Sequence, residues 1–71
     1  MLLQDDAVRI ASNYVDARRE DLGPTRYFRS QFFANGTSPA FRGDTWLVTF
    51  ECLGLHRGDL LLIQVDAFTG G

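Results

Sequence analysis

Gly23-Pro24 divides the chain into two kinds of sequence, and that division limits the folds open to it. Before it, apolar residues fall at Ala7, Val8, Ile10, Ala11, Tyr14, Val15 and, one turn on, Leu22, the i, i+3, i+4, i+7 spacing of one helix face. This predicts an amphipathic helix from Asp5 to about Asp21. Asp5 or Asp6 can accept hydrogen bonds from the free first-turn amides and suits the positive end of the helix dipole. Arg18 and Arg19 lie near the other end, where cations are favoured. Gly23 supplies a left-handed cap and Pro24 cannot continue the hydrogen-bond ladder. Arg9, Asp16, Arg19 and Glu20 belong to the solvated side.

After the break the period changes to two. Thr25 to Ala34 is aromatic and strand-favouring, but Tyr27-Phe28 and Phe32-Phe33 are adjacent pairs, so both faces carry aromatics. Either both faces are covered or one meets a partner. Asn35 to Pro39 and Arg42-Gly43-Asp44 are turn chemistry and read as a loop. Thr45 to Leu53 is the clearest strand, with Trp46, Val48, Phe50 and Cys52 pointing one way and Thr45, Thr49 and Glu51 the other. Gly54 to Asp59 forms a hairpin-like loop, and Leu60 to Ala67 returns with Leu61, Ile63, Val65 and Ala67 inward. There is no internal repeat and no interdomain linker. The expected fold is α+β: one N-terminal amphipathic helix packed on an antiparallel sheet of about three strands, in a single domain spanning 1–71. Its core is Trp46, Val48, Phe50, Leu61, Ile63 and Val65 beneath the helix.

A chain of 71 residues and 8.0 kDa has no room for a multidomain enzyme. A domain this small buries only about 60% of the surface its unfolded chain exposes, so it needs a staple, a metal or a partner. Cys52 is the only cysteine and His56 the only histidine, which excludes an intramolecular disulfide and a four-ligand zinc site. Association with another chain, including a homodimer, is the expected remedy, with a well-packed monomer as the alternative. Nine acidic residues against seven basic ones give a net charge of −2, the opposite of a nucleic-acid binder's balance. No apolar run approaches the ~20 residues that span a bilayer, and no basic segment followed by an apolar run opens the chain. The expected setting is cytoplasmic, with neither nucleic acid nor membrane as partner. All seven basic residues are arginines, a bias that genome composition explains and that also suits bidentate contacts with carboxylates.

No constellation points to catalysis. His56 has Cys52 and Asp59 near it in sequence, but Cys52 falls on the apolar strand face, where a thiol is inert. The glycines at 36, 58, 70 and 71 precede no helix and match no nucleotide-binding pattern. The acidic pairs Asp5-Asp6 and Glu20-Asp21 sit at helix ends and lack the spacing of a calcium loop. Asn35-Gly36-Thr37 matches a glycosylation pattern and Arg42-Gly43-Asp44 an adhesion tripeptide; turn chemistry accounts for both. Gly70-Gly71 follows the last strand in a topology unlike that of the ubiquitin-like modifiers, and reads as a turn or chain end. The chain is expected to be no enzyme, with no cofactor and no metal.

Trp46-Leu47-Val48-Thr49-Phe50-Glu51, a hairpin, then Leu62-Ile63-Gln64-Val65-Asp66-Ala67-Phe68-Thr69-Gly70 resembles the PepSY family, whose members show a Trp/Tyr-x-Val-x-Phe strand and a strand ending in Val-Asp-Ala-x-Thr-Gly. Asp5-Asp6-Ala7-Val8-Arg9-Ile10-Ala11 is similar to that family's opening helix. Tyr27 to Gly43 lies outside the likeness. The resemblance implies a cystatin-like helix-on-sheet fold and a non-catalytic role, commonly as a regulatory or inhibitory module of peptidases. Asp66, Thr69 and Gly70 match its motif, and physically they describe a turn capped by side-chain oxygens. The functional expectation is a protein-binding or self-associating module whose candidate interface is Tyr27, Phe28, Arg29, Phe32 and Phe33, with Arg26 beside them. The alternative is a small immunity-type antagonist that occludes a toxin.

Overall fold

The computed structural model describes residues 1–54 and 56–71. Leu55, within the predicted hairpin loop, lies outside the described residues. Helix α1 (Gln4–Asp16) and the single turn α2 (Arg19–Leu22) precede strands β1 (Thr25–Phe33), β2 (Thr45–Cys52) and β3 (Leu60–Asp66). The strands form one antiparallel sheet in the order β1-β2-β3, so the protein has the expected α+β fold, with two edge strands and β2 between them.

The helix departs from its predicted form at both ends. Neither aspartate occupies the cap position; Leu3 does, and Asp6 reaches back to accept the Leu3 N–H at 3.2 Å while pairing with Arg9 at 3.3 Å. The continuous helix to Asp21 is a helix and a separate turn. At Arg18 the backbone leaves helical geometry (φ −112°, ψ 19°), and the Arg18 N–H donates to the Val15 carbonyl in a tighter turn. Arg18's guanidinium folds back to donate to the Tyr14 carbonyl at 3.2 Å and lies 3.6 Å from the Tyr14 ring centroid. A last-turn carbonyl that would lack a partner is thereby satisfied, and the apolar period continues to Leu22 across the break.

Ala7, Ala11 and Val15 form the fully covered stripe of α1, at i, i+4 and i+8. Two alanines at the contact let the helix backbone approach the sheet closely. Beneath it lie Val48, Phe50 and Val65, with Trp46, Leu61 and Ile63 half-buried around them and Leu22 and Val8 closing the side. The cross-strand pairs Trp46/Val65, Val48/Ile63 and Phe50/Leu61 place these residues on one face, as the alternation predicts. The Trp46 indole N–H donates to the Leu2 carbonyl at 3.0 Å, and the Leu2 N–H to the Ala67 carbonyl. Tyr14, predicted on the apolar face, is exposed on the helix flank.

Among the described residues no helix covers the other sheet face, yet Thr45 and Thr49 on it are buried. Both are short side chains of the central strand. Thr49 stands between Arg29 and Leu62 across the sheet and between Leu47 and Glu51 along it, and these longer side chains shelter it.

The β1–β2 loop is held by a reciprocal clasp: the Asn35 N–H donates to Asp44 Oδ1 at 2.7 Å and the Gly43 N–H to Asn35 Oδ1 at 3.2 Å. Beyond β3, Asp66 Oδ1 accepts the N–H groups of Phe68 (2.8 Å) and Thr69 (2.9 Å), and Thr69 Oγ1 accepts that of Gly71. This is the side-chain-capped turn expected from the motif. The Thr69 and Phe68 amides hold the Asp66 carboxyl below its ordinary value of 3.8. A depressed folded-state pKa gives stability that is present above the ordinary value and lost as pH falls through the folded one. Asp66→Asn should therefore flatten the acid limb of the melting temperature below that ordinary value, and carboxyl NMR titration should show Asp66 protonating below it.

Gly70 combines a φ of +77° with a position where a Cβ would lie 3.0 Å from Ile10 Cδ1. Gly70→Ala should cost about 1–2 kcal/mol from the left-handed conformation, before any shift of the helix, measurable by urea denaturation.

Candidate functional site

The five candidate interface residues all lie on edge strand β1. Register with β2 sorts them: Tyr27 opposite Phe50 and Phe32 opposite Trp46 share the helix-side face, whereas Arg29 opposite Thr49 and Phe33 opposite Thr45 share the helix-free face. Phe28 is the extra residue of a bulge between Tyr27 and Arg29. The bulge reconciles the imperfect alternation with a continuous strand.

Because α1 packs on β2 and β3, the helix-side face of β1 falls outside its footprint. Tyr27 remains 42% exposed, Phe28 53% and Phe32 36%. Tyr27 and Phe32 nevertheless lean on the core. Tyr27 meets Phe50 edge-on at 6.3 Å, and Phe32 meets Trp46 at 5.2 Å with the rings at 60°. The Tyr27 hydroxyl lies 2.9 Å from Ser30 Oγ. Two aromatic anchors are thus fixed in orientation with one side open to solvent, a preorganised surface of the kind that carries binding energy.

Phe33 does not belong to that shelf. It is half-buried on the opposite face against Phe41, 4.9 Å away. Arg26 is paired with Glu51, while Arg29 places its guanidinium 5.8 Å from the Phe28 ring centroid. Phe28 is thus an exposed ring at the bulge, beside an exposed cation that belongs to the helix-free face.

The residues weighed for chemistry do not converge. Cys52 is a buried free thiol, His56 and Asp59 are exposed, and among the described residues no hydrogen bond joins their side chains. Cys52 meets Asp59 through the backbone alone, its N–H donating to the Asp59 carbonyl. Among the described residues no cluster of His, Cys, Asp or Glu could hold a metal ion. The Asp44 carboxylate of the adhesion-like tripeptide is engaged in the loop clasp. Among the described residues no helix is long and apolar enough to cross a membrane.

One feature has no counterpart in the sequence reading. A groove of about 340 Å³ runs between α1 and β3, lined by Ile10, Tyr14, Leu62, Gln64 and Gly70 among others. The signal for it was Tyr14, an aromatic at the margin of the apolar stripe. Compared with protein-family models, with curated proteins and with solved structures, the chain has no match.

Proposed function

We propose that the protein is a non-catalytic protein-binding module that receives its partner on the helix-side face of β1. The observation that carries this reading is the shelf of Tyr27, Phe28 and Phe32. Tyr27 and Phe32 are half-exposed aromatics fixed by neighbouring core rings on a face the helix leaves open, and Phe28 is exposed beside them at the bulge. Aromatic residues with a flanking arginine have the composition of binding hot spots, and truncating such an anchor weakens association by about 30-fold or more. The PepSY-like motifs in α1, β2 and β3 supply the direction: occlusion or regulation of a peptidase, with no group transferred or bond cleaved by this chain.

The test is inhibition. Wild-type protein added to peptidases purified from the source organism should inhibit at least one of them. A Phe28→Asp/Phe32→Ser variant should need at least about 30 times more protein for the same effect while keeping its circular dichroism. Equal inhibition by the variant, or no inhibition by the wild type, would overturn the proposal.

A further inference from the structure

The two edges of the sheet are built differently. β1 carries a bulge and two arginines, devices that discourage a second strand from pairing. β3 carries neither, and has no charged residue from Leu60 to Val65. Leu60 is 52% and Leu62 60% exposed on it. The Cys52 N–H bonded to the Asp59 carbonyl sets the alternation along the β2–β3 ladder. It turns the backbone groups of Leu61, Ile63 and Val65 toward β2 and those of Leu60, Leu62 and Gln64 outward. The outward groups of Asp66 are already taken, its N–H by the Gly71 carbonyl and its carbonyl by the Gly70 N–H.

We infer that β3 pairs antiparallel with β3 of a second copy of this chain, on a two-fold axis at Leu62, independently of what β1 binds. Leu62 then faces its own copy and Leu60 faces Gln64 of the second copy, which uses the outward groups of all three residues and avoids Asp66. No like charges come into opposition along the paired segment.

The position of α1 makes the second copy fit. Neighbouring strands lie about 4.8 Å apart, so a helix seated over the β2–β3 seam stands about 2.4 Å inside β3. Pairing through β3 brings the two helices about 9.6 Å apart, within the 8–10 Å of packed helices. The groove flanked by Ile10 and Tyr14 is then one half of a helix–helix contact, and none of its lining residues is charged. Pairing through β1 would instead leave the helices about 19 Å apart, with the aromatic shelves open between them. A stable interface takes about 800 Å² from each partner, roughly a sixth of this chain's 4950 Å². One long side of a body extending 36 × 20 × 16 Å is of that order.

Sedimentation equilibrium of the full chain should give twice the 8.0 kDa chain mass at micromolar concentration. Leu62→Arg alters a mostly exposed side chain and places like charges at the axis, so it should raise the dimer dissociation constant by about a hundredfold or more. Phe28→Asp/Phe32→Ser should leave the mass unchanged, which separates this inference from the proposed role of β1. Hydrogen exchange of the wild type provides a readout without mutation: the amides of Leu60, Leu62 and Gln64 should gain protection as concentration rises. A monomer at 8.0 kDa, a dimer that survives Leu62→Arg, or a dimer broken by the β1 variant would each overturn the inference.

Discussion

Phe50→Ala should remove about 3–5 kcal/mol of the protein's stability in water at 25 °C. Phe50 is 4% exposed at the centre of β2, among Val48, Val65 and the alanine stripe of α1, and its ring also steadies Tyr27. Truncating a buried phenylalanine costs about 3–5 kcal/mol, from lost transfer energy plus the cavity left behind. At 0.05–0.15 kcal/mol per residue, a domain of this length has about 4–11 kcal/mol of stability in total. A single truncation therefore removes a large share of it or all of it. The measurement is a urea transition monitored by Trp46 fluorescence, with Phe28→Ala as the control. Phe28 is exposed at the bulge, and its removal should change stability by no more than about 0.5 kcal/mol. If the two variants lost the same stability, the division of β1 and β2 aromatics into shelf and core would be wrong.

Ala11→Leu should also destabilise the protein, by the opposite route. Ala11 is fully buried between Ala7 and Val15 on the stripe of α1 that faces the sheet. A leucine cannot be accommodated unless α1 lifts, and overpacking of a close contact costs about 1–3 kcal/mol, occasionally more. Lifting α1 also strains the Trp46–Leu2 hydrogen bond and the approach of Gly70 to Ile10, which close the other end of the same layer. The expected result is a lower urea midpoint together with a loss of near-ultraviolet dichroism from Trp46. Ser12→Ala, one residue along on the same helix and half-buried, should leave both nearly unchanged.

These two residues also mark how far the sequence could be read. The strict alternation from Trp46 to Cys52 and from Leu61 to Ala67 names the covered face directly, because side-chain direction in a strand follows from parity alone. The Asp66 turn was legible for a similar reason: its donors lie within a few residues of the acceptor. The end of α1 was not. Leu22 continues the helical period, and only the Arg18 side chain folding back on Tyr14 shows that the chain has already turned. Nor could local pattern divide the aromatics of β1. Phe33 finds Phe41 across the loop, and Tyr27 and Phe32 remain open because α1 sits over the far pair of strands; both are consequences of tertiary placement. The groove beside β3 arises from the same placement and left only Tyr14 as a trace. Thr49, buried on an uncovered face, depended on the reach of Arg29 and Leu62 from neighbouring strands.

The bond from the Leu2 N–H to the Ala67 carbonyl joins the segment before the first helix to the segment after the last strand. During synthesis, α1 leaves the ribosome before the strands, yet a helix of 13 residues is marginal alone in water. The surface it needs is shared between β2 and β3, so it cannot dock until nearly all of the following chain has emerged. The β2–β3 hairpin can form from neighbours within milliseconds or less, whereas helix docking must close a loop across most of the sequence. Until then Val15, Trp46 and the leucines of β3 remain exposed together on a nascent chain, a waiting period in which apolar surface is open to association.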